Sequence, residues 1–234
     1  MIKIENIEVW GFEHAIRGMR NPMNSCDKSD SGLVDVAHRD TYDFPNSEFA
    51  IQVFTQPHKY EFQIGSADMD LMRRLYKAGT EHRKYLRQIF VSMDIIAPLY
   101  WWKEFDTYKI GTVSNSCSTM HKIHAKKFEL DDFSFEHLPD EYMDYYNANT
   151  VSQYIVGCLN EAREKYLETK DKKWWWLMIQ LLPSSYNQRR TITMNYENVM
   201  TIINQRSNHK LDEWHDLIAE LRKLPYVNEI RGEE

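Results

Sequence analysis

Ile2, Ile4, Ile7 and Val9 mark an opening strand that ends near Gly11. The stretch from Gly18 to Asp40 is rich in Asn, Ser, Asp and Gly, contains Pro22, and reads as loop. Two β-rich runs, Glu48 to Thr55 and Lys59 to Ile64, flank Gln56-Pro57-His58 and predict a hairpin. Leu71, Met72, Leu75 and Ala78 recur at helical spacing, with Gly79 as the stop. From Gln88 to Ile96 the period changes to two, placing Ile89, Val91, Met93 and Ile95 on one face of a strand. Pro98 suits the first turn of a helix through Tyr100, Trp101, Trp102 and Phe105.

Lys109 to Lys122 is polar and reads as an ordered loop, and Phe128 to Asn149 as an acidic, aromatic stretch of short turns. A long helix is expected from about Thr150, burying Val151, Tyr154, Ile155, Cys158, Leu159 and Ala162. Asp171-Lys172-Lys173 interrupts it before Trp174 to Leu182, and Pro183 closes that run. Arg190 to Asn195 is a short strand. A helix over Tyr196 to Gln205 buries Val199, Met200 and Ile203, and a last one buries Leu211, Trp214, Leu217, Ile218 and Leu221. With no internal repeat or low-complexity linker, the reading is one mixed α+β domain over 1–234, a central sheet with long helices.

Composition narrows the function. The chain has 234 residues, 42% of them hydrophobic, enough for a sizeable core. With 29 Lys+Arg against 35 Asp+Glu and a formal charge of -6, a whole-surface nucleic-acid binder is disfavoured. The N-terminal residues lack the apolar core of a signal peptide, and no apolar run approaches membrane-spanning length. Cys26, Cys117 and Cys158 are an odd number without CxxC spacing, which suits a reducing, cytoplasmic setting. No P-loop or GxGxxG appears. His121 and His124 have metal-ligand spacing without an evident third ligand, so no metal is expected. Trp174-Trp175-Trp176 is either a stacking platform or interhelix or subunit-interface core.

Two stretches carry a resemblance. Gly79-Thr-Glu-His82, the strand, and Ala97-Pro98 through Lys103-Glu104 to Thr107-Tyr108-Lys109 form the first, continued by Ser114-Asn115-Ser-Cys-Ser118. Leu182-Pro183 through Asn195 to Arg206 forms the second. In order and spacing they resemble the flavin-dependent thymidylate synthase (ThyX) family: a Gly-His motif, a strand, an Ala-Pro-led helix carrying Arg-Gln and ending in Arg-His-Arg, a Ser-x-Asn-Glu-x-Ser loop with one residue inserted here, then, without a gap, Leu-Pro, strand, Asn, helix and Arg. The resemblance covers 79–122 and 180–220; the strand, loop and hairpin region of 1–78 shows none. Arg-His-Arg is replaced by Thr107-Tyr108-Lys109, Arg-Gln by Lys103-Glu104, the loop Glu by Ser116, a following Arg by Met120, and a helix Asn by Thr201.

The resemblance implies that fold, FAD as cofactor, methylenetetrahydrofolate and NADPH as co-substrates, and C5 methylation of a pyrimidine deoxynucleotide, dUMP or a close variant. It also implies a homotetramer. No protein nucleophile is expected, because the flavin carries the difficult step. Carried over by position, Glu104, Ser118, Lys122 and Arg206 are substrate-binding candidates, and His82, Thr107, Tyr108, Lys109, Asn195 and Thr201 cofactor-binding candidates. Arg206 has the planar fork that suits a uracil edge, or is a surface arginine between helices. Glu104 accepts from an amino-bearing base such as cytosine, or bridges to Lys103, Arg189 or Arg190. Ser118 donates to phosphate or is a turn hydroxyl. Lys122 or His121 stands in for the arginine missing at Met120, or is solvated surface. Asn195 meets a flavin ring or caps the following helix. His82 is a flavin neighbour or a structural residue. The rival reading is a non-catalytic binding or assembly protein on the same fold.

Overall fold

The computed structural model describes residues 2–36, 60–139, 142–143 and 146–233. The first strand of the expected hairpin, its turn and Lys59 lie outside them. In chain order the elements are β1 (Lys3–Trp10), α1 (Phe12–Arg20), β2 (Gly32–Asp35), β3 (Tyr60–Gln63), α2 (Ser66–Lys77), β4 (Phe90–Pro98), α3 (Leu99–Phe105), β5 (Thr112–Ser116) and α4 (Thr119–Lys122). They continue with β6 (Tyr142–Met143), β7 (Tyr146–Asn147), α5 (Ala148–Thr169), α6 (Lys172–Leu181), β8 (Asn187–Asn195), α7 (Tyr196–Arg206), α8 (Asp212–Leu221) and α9 (Val227–Arg231). The fold is mixed α+β, as expected. The chain divides into two compact units, one comprising residues up to 8 with 91–194 and 198–221, the other 9–90, 195–197 and 222 onward.

The first unit is organised by a four-stranded sheet in the order β1-β4-β8-β5. In β4 the predicted period-two face holds: Val91, Met93, Ile95 and Ala97 are at most 1% exposed. Pro98 ends the strand and caps α3 rather than entering it. The first helical N–H groups are satisfied from outside, Leu99 N donating to the Tyr186 carbonyl at 3.0 Å and Tyr100 N to that of Ser184 at 2.9 Å. Trp101, Trp102 and Phe105 turn inward; Trp101 and Phe105 meet Trp214 of α8, with 4.9 Å between the Trp101 and Trp214 ring centroids, and Trp102 packs on Trp101 and Phe105.

Two expectations fail in this unit. The polar stretch 109–122 is not all loop: β5 pairs antiparallel with β8, Thr112 opposite Met194 and Ser116 opposite Arg190, and α4 follows. An edge strand needs only backbone pairing, and β5 keeps its polar side chains in solvent, so the hydrophobic pattern that marks a strand is missing. On α5 the buried stripe is Ala148, Ser152, Val156, Leu159 and Ala162, while Val151 is 38% and Tyr154 72% exposed. Ser152 can be buried because its hydroxyl donates to the Asn149 carbonyl at 2.8 Å, which turns the inward face away from the larger apolar residues. Val156, Leu159 and Ala162 join Ile123, Phe128, Phe133 and Met178 in a second core cluster.

The second unit contradicts the loop expected over 18–40 within the part described. α1 runs to Arg20, short 3-10 turns follow, and β2 pairs with β3, Gly32 opposite Gln63. The Ser and Asp residues that suggested a solvated loop are partners of a buried carboxylate. Asp68, fully buried at the start of α2, accepts from Arg20 Nε at 2.6 Å, from the Ser29 and Ser31 hydroxyls at 2.6 and 2.7 Å, and from the N–H groups of Asp30 and Ser31. Burial, the largest influence, raises the Asp68 pKa, but the hydroxyls and the guanidinium together outweigh it and hold it below its usual value. α1 opens at Gly11, whose φ of 99° is left-handed; a Cβ there would enter the Gln88 carbonyl oxygen, so only glycine fits.

Candidate functional site

The sequence candidates gather most densely where α3 ends and α7 ends, within the first unit. Two residues past the end of α3, the Thr107 hydroxyl donates to the Glu104 carbonyl at 2.7 Å, and Tyr108 follows. Arg206 is the last residue of α7. Its Nε donates to the Tyr108 hydroxyl at 3.0 Å, and that hydroxyl donates onward to Gln205 Oε1 at 3.1 Å. Its Nη1 lies 3.4 Å from Glu104 Oε2, so the carboxylate's partner is Arg206 and not Lys103, Arg189 or Arg190. The guanidinium rests 4.8 Å from the Trp214 ring centroid and 5.6 Å from that of Tyr108. Arg206 is therefore held in place on two rings with its side chain 18% exposed, while among the described residues no partner takes the hydrogens of Nη2. A planar fork fixed at its Nε side and open at its outer edge suits a flat ligand with paired acceptors.

Several residues of this cluster escaped the sequence reading. Tyr108 and Arg206 are 98 positions apart, and no local spacing announces their bond. Trp214 was legible only as core. Its indole N–H is buried without a hydrogen-bond partner among the described residues. On the same helix Glu213 is buried and accepts a hydrogen bond from the Tyr100 hydroxyl; burial first, then that carboxylate, push the Tyr100 pKa up. Nearby, Arg190 lies 4.2 Å over Trp102 and pairs with Asp106 at 2.7 Å.

The remaining candidates of this unit stand apart from that hydrogen-bonded group. Ser118 caps α4, its oxygen accepting from His121 N at 3.2 Å. The cap uses a lone pair and leaves the hydroxyl hydrogen for another acceptor. Lys109 and Lys122 are exposed, and Thr201 is partly buried on α7. Of the tryptophan triplet, Trp174 is covered by Lys165 and Lys173, Trp175 packs on the second core cluster, and Trp176 is 44% exposed. No group of three or more His, Cys, Asp or Glu is placed to hold a metal among the described residues.

His82 and Asn195 belong to the second unit. Asn195 ends β8 and is 8% exposed; the next residue's N–H bonds the Ile89 carbonyl at 2.9 Å. His82 lines a cavity of about 830 Å³. Met19, Met23, Leu71 and Leu75 give it an apolar wall, and Lys84 and Arg87 a cationic one. Arg87 is shared with Glu197, which also holds Arg83. Burial, the largest influence, raises the Glu197 pKa, and the two arginines reverse it to a net lowering.

These donor sets bear on a flavin unequally. The cavity suits one: an apolar wall for a flat ring, with Lys84 and the Glu197-paired Arg87 for an anionic group, and Glu81 also on its lining. The triplet Thr107-Tyr108-Lys109 offers less, because the Thr107 and Tyr108 hydroxyls donate to protein acceptors and Lys109 alone keeps its hydrogens available.

No family model and no curated protein matches the sequence. Solved structures do match the fold. Over 97% of both chains the protein is similar to the flavin-dependent thymidylate synthase ThyX from Helicobacter pylori complexed with FAD and dUMP, with a TM-score of 0.62 and 16% identity. A second structure of that enzyme with FAD and dUMP gives 0.61 and 15%, covering 99% of this chain and 97% of that one. The UMP/dUMP methylase PolB from Streptomyces cacaoi, bound with 5-Br dUMP, gives 0.57 and 12%, covering 98% and 94%. The chain thus has the fold that the flavin-dependent thymidylate synthases share with a related nucleotide methylase, as the resemblance implied, carried by a sequence that has diverged far from theirs.

Proposed function

We propose that the protein is a flavin-dependent methylase acting at C5 of a pyrimidine deoxynucleotide, dUMP or a close variant. Methylenetetrahydrofolate would be the one-carbon donor, NADPH the reductant, and the cytoplasm the setting. The observation that carries this reading is the Arg206 fork, fixed by Tyr108 and Trp214 with its outer edge open. The whole-chain likeness to enzymes complexed with FAD and dUMP supports it.

In this reading Arg206 takes a pyrimidine carbonyl and Glu104 accepts an N–H from the base, which both the ring N–H of uracil and the amino group of cytosine supply. Ser118 and Lys122 serve the nucleotide phosphate. His82, Lys84 and Arg87 hold the flavin, with Asn195 of the same unit as a further contact. Bound reduced flavin supplies the hydride, so the protein's own task is to align flat ligands and polarise the pyrimidine. The apolar side chains exposed on α5 and α6, Tyr154, Leu167, Trp176, Leu177 and Leu181, support assembly into a homotetramer.

Calorimetry with dUMP and dCMP in the presence of FAD tests the assignment. Binding of one of them, with flavin absorbance in the purified protein, is expected; failure to bind either nucleotide rejects it. Light scattering should give four times the 28.1 kDa chain mass, and a monomer mass at micromolar concentration rejects the assembly. The internal use of the Thr107 and Tyr108 hydroxyls favours the second reading, a nucleotide-binding protein without flavin chemistry, which dUMP binding without flavin binding would identify.

A further inference from the structure

Where α5 gives way to α6, within the first unit, a cavity of about 380 Å³ opens between those helices and α4. Its floor is aromatic. The Trp175 indole is pinned by a hydrogen bond from Nε1 to the Met120 carbonyl at 3.1 Å, and His124 meets Tyr166 edge to face at 5.0 Å. Its rim is basic, formed by His121, Lys170 and Lys172.

Neither lysine has a carboxylate partner among the described residues; Lys170 Nζ lies 5.8 Å from the Tyr166 ring centroid and Lys172 Nζ 5.7 Å from that of Trp176. Asp171, between them, is committed to Lys173, whose Nζ lies 3.0 Å away and whose N–H it caps. Lys170 also adopts a left-handed φ of 56° at the end of α5, a position that glycine fills with less strain. One further group points to a ligand: His124 Nδ1 is buried and has no hydrogen-bond partner among the described residues.

We propose that this cavity is a binding site for a flat aromatic ring carrying a phosphate, in the size class of a mononucleotide. The ring lies against Trp175 and Tyr166, the phosphate meets Lys170, Lys172 and His121, and a polar ring atom satisfies His124 Nδ1. The site shares helix α4 with the substrate-phosphate candidates Ser118 and Lys122 but uses neither Arg206 nor Glu104, so it does not depend on the reaction proposed there.

Adenosine 5′-monophosphate, adenosine and inorganic phosphate are the probes, titrated calorimetrically into the full chain. The monophosphate should bind at least about tenfold more tightly than either component, because the ring and the anion are held together. Lys170→Gly combined with Lys172→Gln should weaken it by at least about tenfold, the loss of one or more charge-assisted contacts. Lys170→Gly relieves the left-handed strain, so an unchanged or raised melting temperature will show that the variant is folded. Arg206→Lys should leave this binding as it is. No binding to the native chain, binding no tighter than that of inorganic phosphate, or binding lost in Arg206→Lys and kept in the lysine variant would each overturn the assignment.

Discussion

Arg20 and Arg206 each face a carboxylate, and the two settings differ in how completely that carboxylate is satisfied. Asp68 accepts from Arg20, two hydroxyls and two backbone N–H groups, with its side chain fully buried. The Glu104 side chain is 45% exposed and stands 3.4 Å from Arg206, whose outer N–H groups have no partner among the described residues. A saturated pair has nothing left for a ligand and serves the fold. An unsaturated pair on an aromatic shelf adds little to stability and keeps its hydrogen-bonding capacity for something that arrives later.

Removing the anion from the saturated pair should have the largest effect. Asp68→Ala leaves a buried guanidinium, four other donors without their acceptor, and a predicted loss of about 3–5 kcal/mol in urea denaturation. A loss below about 1 kcal/mol would end the contrast with Glu104. Acid sharpens the same point. The Asp68 pKa is depressed in the folded state, so its contribution is fully present above its ordinary value of 3.8 and is withdrawn as pH falls through the lower folded value. Stability of the native chain should therefore fall more steeply below about pH 4 than that of Asp68→Asn.

The unsaturated pair should respond in the opposite currency. Arg206→Lys keeps the charge and loses the planar fork, so pyrimidine nucleotide affinity should weaken by about 1–3 kcal/mol with melting nearly unchanged. Melting that drops while calorimetric affinity stays level would make Arg206 another structural arginine. Tyr108→Phe is the finer test. It removes the hydroxyl that holds Arg206 Nε and should cost about 0.5–1.5 kcal/mol of the same affinity while the guanidinium remains. Equal affinity in both proteins would show that the rings and Glu104 position the arginine without that hydroxyl.

What could be read from the chain follows from the range of the interactions. The face of β4 is written at period two, and the inward residues of α3, α7 and α8 at helical spacing, because one element buries them against the core. β5 escaped because its pairing is made by backbone atoms while Ser114, Asn115 and Ser116 stay in solvent. Ser29, Asp30 and Ser31 were mistaken for solvated loop because the carboxylate they bind lies nearly forty positions away. Residue positions at the Arg206 cluster came from the family resemblance, but their use did not. That Tyr108 would turn its hydroxyl toward Arg206, instead of standing open where the resembled family carries a histidine, depends on the packing of α3 against α8.

Gly11 makes one position of this chain a test of ancestry. Its backbone sign and the nearness of the Gln88 carbonyl leave no alternative residue, whatever chemistry the protein performs. In a saturation library selected only for folded protein, position 11 should return glycine almost alone, whereas positions 107 to 109 should tolerate many residues. Distant homologues would then be better found by aligning on that helix entry than on the triplet by which the resembled enzymes are known.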